Sequence, residues 1–215
     1  MNDFAVRTLS GVIMIAIAIA AALVGGYFFA VLVAAAATAV FYEWTRLSRG
    51  WGVAWSIAGF AYAVAAACAL LWIRDRADPM LPNGGLVLTF WVFIVVWSTD
   101  IGAYFSGRVI GGPKLAPTIS PGKTRAGLYG GVVAALVLGS VWAFVSGLSY
   151  ILDLLAPIFA VAAQGGDLFE SWMKRRAGVK DSGGWLPGHG GVFDRLDGLL
   201  PVAILTALAA LIGIV

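Results

Sequence analysis

Apolar runs of helical length, broken by short polar stretches, organise the chain. They lie at residues 9–24, 27–41, 53–73, 86–98, 128–145, 151–163 and 199–215. A helix needs about 20 apolar residues to cover the hydrocarbon of a bilayer. The pattern therefore predicts an all-α, polytopic transmembrane bundle of about seven spans, within a range of about six to eight. The runs ending at Ser98 and Ala163 are short. They are expected to continue into the polar residues that follow, or to sit half-buried in protein. The first run is long, lacks a clear cleavage site and leads nearly straight into the second, which fits a retained helix rather than a signal peptide.

Two long polar segments, 99–126 and 164–198, separate the later runs. No internal repeat and no soluble domain is visible. The expected organisation is one integral-membrane domain over residues 1–215, with N-terminal membrane helices at 1–98 and a catalytic half at 99–215 that carries both polar segments. Alanine runs at 34–37 and 65–67 suit close helix packing and say nothing about chemistry.

Composition agrees with the pattern. Hydrophobic residues make up 61% of the chain and charged residues 12%, with mean hydropathy +0.93. A soluble domain averages about 45–50% apolar and about 25% charged. A disordered chain, a collagen-like chain and an ordinary cytosolic enzyme are excluded. The net charge of +3 is too small, and too embedded in apolar context, to point to nucleic acid. The single cysteine, Cys68, excludes an intrachain disulfide and a thiolate zinc cluster. Within its apolar run it reads as a packing residue. The single histidine, His189, excludes a site with two His ligands.

Lys and Arg set the expected orientation. With seven spans and the N-terminus inside, Arg7, Arg46, Arg49, Arg108, Lys114, Lys123, Arg125, Lys174, Arg175, Arg176, Lys180 and Arg195 fall inside. Only Arg74 and Arg76 fall outside. Both polar segments are thereby expected on the cytoplasmic face, although ligand binding accounts for part of the same bias.

The first polar segment begins with Asp100, directly after a run of Trp, Val, Ile and Phe. An ionisable residue there needs a partner or water. Asp100, Tyr104 and Gly107 share a helical face. The Gly and Pro residues beyond force irregular backbone, which near a membrane must line a cavity or be covered by protein. Free backbone N–H groups beside Lys114, Lys123 and Arg125 would suit a phosphate. A surface loop with lysines that only fix topology fits this segment equally well.

The second segment places Asp167, Glu170, Ser171 and Lys174 at i, i+3, i+4 and i+7 on one helical face. A salt-bridge ladder would look the same, but this helix grows straight out of an apolar run. A glycine-rich loop follows from Lys180 and Asp181 to His189, Gly190 and Gly191. Asp194 and Asp197, flanking Arg195, then share a face at i, i+3. Carboxylates at Asp167, Asp181, Asp194 and Asp197, close to Lys174, Arg175, Lys180 and Arg195, are what a magnesium–phosphate site requires. Mg²⁺ takes one or two carboxylates plus phosphate and water oxygens. Phosphoryl or nucleotidyl transfer asks little else of the protein. His189 would serve as a general base or simply hydrogen-bond its own loop.

Ser171, Lys174 and Arg175, then Lys180 to Gly183, then Leu186 to Asp197 closely resemble the defining motif of the phosphatidate cytidylyltransferases, the CDP-diacylglycerol synthases. The stretches from Asp100 to Arg108 and from Ile119 through Ser120 and Lys123 to Thr124 look similar too, so the resemblance covers roughly the C-terminal half. It implies cytidylyl transfer from CTP to phosphatidic acid, releasing pyrophosphate and making CDP-diacylglycerol for phospholipid synthesis. It implies Mg²⁺ on Asp167 and Asp194, with a second, monovalent cation such as K⁺ at the same site. Lys174, Arg175 and Lys180 would neutralise phosphate, and Ser120 and Lys123 would reach the same cleft. Acyl chains would stay between the helices. It also implies a homodimer in a bacterial inner membrane with the site facing the cytoplasm. Two departures stand out: Ala126 occupies a position where such proteins usually carry glutamate, and the chain is shorter than many of them. The competing readings are a CTP-dependent lipid-alcohol kinase of the dolichol- or phytol-kinase kind, which would release CDP, and a non-enzymatic transporter or structural protein.

Overall fold

The structure is a computed structural model. It describes residues 3–78, 81, 83–186 and 188–215, with side chains from Thr8 onward. Pro187 of the motif and the side chain of Arg7 therefore lie outside the described residues. The chain folds as an all-α bundle of α1 (Asp3–Val24), α2 (Gly26–Leu47), α3 (Val53–Asp75), α4 (Gly84–Val109), α5 (Arg125–Ser146), α6 (Ile151–Arg176), a short α7 (Phe193–Leu196) and α8 (Leu199–Leu211). Five of these, α2 to α6, are long and apolar enough to cross a membrane. The stretch Thr8–Val24 and α8 are shorter apolar helices.

Successive helices run in opposite directions. At one end, Ser10 of α1 meets His189, Glu43 of α2 meets the backbone before α7, and Lys123, just before α5, meets Asp167 of α6. At the other end, Arg74 of α3 bonds the carbonyl of Ala22 at 2.6 Å, and Arg76 bonds that of Val215 at 2.9 Å. All the candidate chemistry thus gathers at one end. There, Trp51, Trp55 and Trp172 form an aromatic cluster, with the Arg176 guanidinium 4.3 Å from the Trp51 ring centre. Such amphipathic rings suit a membrane interface.

Two spans are longer than their apolar runs. Helix α4 continues to Val109 and α6 to Arg176, well past Ser98 and Ala163. Nothing breaks either helix earlier. Gly111 and Gly112, both at positive φ, follow α4, and Gly178 follows α6. The start of each polar segment is therefore helix rather than loop. The rest of the first segment is a two-stranded antiparallel hairpin, β1 (Lys114–Ala116) and β2 (Ser120–Thr124), the one sheet among the described residues.

Helices α4 and α5 pack backbone to backbone. A Cβ at Gly102 would stand 2.6 Å from the Gly130 carbonyl, and one at Gly131 would stand 2.7 Å from the Thr99 carbonyl. This small-residue seam fixes the start of α5, and with it β2, beside Asp100. Cys68, expected to be a packing residue, instead lies exposed on the outer face of α3. In a membrane that face meets lipid, which an apolar thiol tolerates as well as a core.

Candidate active site

A cavity of about 1320 Å³ opens at the charged end and reaches down between the helices. Its upper wall carries Asp100, Lys123, Asp167, Lys174, Asp194 and Asp197. Its lower wall is apolar, including Met14, Phe29, Val33, Leu70, Phe93 and Trp97 from α1 to α4. Tyr104, Thr124, Asp181, His189 and Arg195 also border it. Ser120, Ser171, Arg175 and Lys180 do not line the cavity.

Lys123 joins the two polar segments. Its Nζ lies 2.8 Å from Asp167 Oδ2 and donates to Gln164 Oε1 at 3.2 Å. The hairpin aims it there: β2 ends at Thr124, whose hydroxyl accepts the Gly127 N–H at 3.0 Å and caps α5, while the Arg125 N–H closes onto the Pro113 carbonyl at 2.9 Å. Thr124 thus faces the cavity with its hydroxyl engaged by backbone. Arg175 reinforces the same junction by donating Nε–H to the Ile119 carbonyl at 3.2 Å. Ser171 donates to Asp167 Oδ1 at 3.3 Å, steadying that carboxylate from its own helix.

Asp194 is surrounded by donors. Its Oδ1 faces Lys174 Nζ at 2.5 Å. Its Oδ2 accepts the Ser182 N–H and hydroxyl, each at 2.9 Å, and the Gly191 N–H at 2.7 Å. Burial alone would raise its pKa, but hydrogen bonds within the Glu170–Lys174 cluster and from Gly191 outweigh that and hold it near about 2. Lys174 bridges Asp194 and the buried Glu170.

Asp197, three residues on, stands in the opposite situation. Helix α7 is a single turn, so the shared i, i+3 face expected for the pair does not extend to shared partners. Asp197 accepts only the Gly198 N–H, at 2.8 Å, among the described hydrogen bonds. Burial first, then the negative charges of Asp167 and Asp100, push its pKa well up. Asp197 is half-buried and lines the cavity.

His189 contributes in two ways. Its ring Nδ1 lies 2.7 Å from Ser10 Oγ on α1, and its carbonyl accepts from Arg195 at 3.1 and 3.2 Å. Both contacts hold the loop. Asp181 and Lys180 are exposed at its outer edge. Tyr104 is exposed, and its hydroxyl accepts from Arg108 at 2.8 Å.

One residue escapes the sequence reading altogether. Glu43, at the end of α2, is fully buried, and its carboxylate accepts from Ser182 Oγ at 2.8 Å, Val192 N–H at 3.0 Å and Phe193 N–H at 2.8 Å. The available signal was a lone acidic residue between Tyr42 and Trp44 at the end of an apolar run.

Comparison with known proteins decides the family. Residues 50–212 match the profile described as "Cytidylyltransferase family". The chain belongs to that family. A protein named phosphatidate cytidylyltransferase from Brucella suis biovar 1 is 38% identical across 95% of this chain and 92% of its own length. Proteins of the same name from Bacillus subtilis and Helicobacter pylori are 51% and 46% identical over 56% and 54% of this chain, and 46% and 44% of their own. The Brucella similarity extends through the N-terminal helices. The expected confinement of likeness to the C-terminal half is therefore corrected: the Brucella match covers 95% of the chain.

Proposed function

We propose that this membrane enzyme makes CDP-diacylglycerol by cytidylyl transfer from CTP to phosphatidate. The observation that carries the reading is one cavity with a charged mouth and an apolar floor between membrane helices. That shape fits a lipid whose phosphate meets a nucleotide while its chains stay among the helices.

A phosphatidate oxygen attacks the α-phosphorus of CTP. The bond from that phosphorus to the bridging oxygen breaks, and pyrophosphate leaves. The phosphate nucleophile is already anionic, so no strong general base is required, and His189 is free to serve the loop. The main obstacle is repulsion between two anions. Lys123 and Lys174 would shift from Asp167 and Asp194 to substrate phosphates, and Arg195 would complete the positive wall. Arg175 and Lys180, outside the cavity, would act through the hairpin and at the entrance.

Mg²⁺ would be held by Asp167 and Asp194, where it would neutralise charge on the nucleotide phosphates. The donor set fits. Among the described residues no three His, Cys, Asp or Glu form a ready-made cage. Mg²⁺ does not need one, because substrate oxygens and water complete its shell. Asp100, Asp167 and Asp197 also crowd one another with only Lys123 and Arg195 as balancing charge. That surplus supports the proposed monovalent cation, such as K⁺, as well.

The charged end would face the cytoplasm of a bacterial inner membrane, supported by the Lys and Arg asymmetry. Single-cysteine labelling at Lys180 from the cytoplasmic side tests this. The proposed homodimer is tested by the mass of the detergent-solubilised protein.

The first experiment is pyrophosphate release by purified protein given CTP, phosphatidic acid and Mg²⁺. Release requiring both substrates, and lost in Asp194→Asn, is the expected result. Release of CDP instead would identify a lipid kinase, and no nucleotide binding by folded protein would favour a non-enzymatic role.

A further inference from the structure

The glycine-rich loop before Asp194 is held within its own half of the chain by Asp194 and Arg195, and it has a second anchor outside that half. That second anchor is α2. Glu43 Oε2 accepts from both Ser182 Oγ and the Phe193 N–H, and Oε1 accepts from the Val192 N–H. The carboxylate thereby ties the loop's entry, Ser182, to its exit, the start of α7. The fit is close: a Cβ at Gly183 or at Gly191 would collide with Glu43. Glu43 is fully buried, as are Val40 and Trp44 of the same helix and Phe193, whose N–H donates to it, so the carboxylate has no water to fall back on.

The link continues to the site. The Ser182 hydroxyl lies 2.8 Å from Glu43 Oε2 and 2.9 Å from Asp194 Oδ2. One hydroxyl hydrogen serves two carboxylates, so its rotation couples them. The Ser182 and Gly191 N–H groups that complete the cradle for Asp194 Oδ2 lie at the two points Glu43 holds, or next to them.

We propose that Glu43 is a positioning residue for cytidylyl transfer, acting through Ser182 and the loop backbone to fix the Asp194 carboxylate, and through it Lys174, at the cavity mouth. The proposal rests on the cytidylyltransferase reading above. Glu43 touches no substrate. It lies outside the stretch that matches the family profile, residues 50–212. Its role is to make the N-terminal helices part of the catalytic apparatus. A misplacement of about 1 Å at a reacting group costs on the order of 10²-fold in rate, so the loss expected on loosening this clamp falls in kcat.

The test uses the full-length protein in detergent with three variants: Glu43→Gln, Ser182→Ala and the double variant. Glu43→Gln keeps the shape but turns one acceptor into a donor facing the Phe193 N–H or Val192 N–H. Expected is a fall in kcat of about 10- to 10²-fold, with the KM for phosphatidate changed by less than about threefold. Trypsin cleavage between Arg176 and Arg195, measured without substrate, should accelerate. Ser182→Ala should lower kcat with the melting temperature kept, and the double variant should be no worse than Glu43→Gln alone. A folded Glu43→Gln with wild-type kcat overturns the proposal, as does strict additivity in the double variant. If Glu43→Gln does not fold, Ser182→Ala decides alone: wild-type kcat overturns the link, and reduced kcat at unchanged melting temperature supports it. If the wild type itself releases no pyrophosphate, the function reading fails, while the proteolysis arm still reports whether Glu43 holds the loop.

Discussion

The two sides of the cavity mouth are built from the same residue type and behave oppositely. On one side Asp194 receives a lysine and three hydrogen bonds, and its charge is strongly favoured. On the other side Asp167, Asp100 and Asp197 crowd together, and Asp197 in particular resists ionisation. A saturated carboxylate shapes the protein around it. A crowded cluster leaves negative charge unbalanced at the cavity wall. The first side organises the loop, and the second is where an added charge changes most.

Asp194→Asn tests the first side and should have the largest effect, a loss of about 10³-fold or more in kcat. The amide oxygen can keep the three loop bonds only by turning its NH₂ towards Lys174, and it offers that lysine no charge in either orientation. Stability should fall too, by about 1–3 kcal/mol, seen as a lower melting temperature. Asp167→Asn should cost about 10²- to 10³-fold in activity and raise the Mg²⁺ needed for half-maximal rate, with a smaller fall in melting temperature than Asp194→Asn, because relief of the charge beside Asp197 offsets part of the lost Lys123 ion pair. Equal destabilisation by both variants would erase the contrast. Lys123→Met comes next, with a loss of about 10- to 10²-fold, because it unbalances the crowded side and removes the tie to the hairpin. Its KM for CTP should rise with salt-independent character if the lysine is a buried phosphate partner, and an unaltered KM would place it in structure alone.

Much of this is legible in the sequence. Hydropathy reports burial in lipid directly, so the apolar runs mark the helices and the polar segments mark the site. The motif residues from Asp167 to Asp197 stand out as candidates by their types and spacing. Of the two expectations for the short runs ending at Ser98 and Ala163, continuation into the polar residues holds: helices α4 and α6 run on to Val109 and Arg176. Hydropathy alone leaves their end points open, because there one face turns to a polar cavity. The hairpin was missed because its signals, Pro and Gly around Lys114 to Lys123, read as generic loop. Glu43 was missed for a different reason. Its partners are backbone N–H groups and a serine about 140 to 150 residues away, and no local spacing encodes a contact at that range.

The smallest effect belongs to Thr124, and it separates two roles for a residue at the cavity wall. Its hydroxyl accepts the Gly127 N–H and caps α5. Losing an N-cap costs about 1 kcal/mol, spread over the α5 start and the adjoining β2. Lys123 precedes it directly, so fraying there would move the lysine slightly. Thr124→Ala should therefore lower the melting temperature modestly and kcat by about two- to fivefold, while Thr124→Ser, which keeps the acceptor, should match the wild type in both. If Thr124→Ala instead lost as much activity as Lys123→Met at unchanged melting temperature, the hydroxyl would be serving substrate rather than the helix. The hairpin would then have to be counted with Asp167 as part of the anion-binding wall, not as its support.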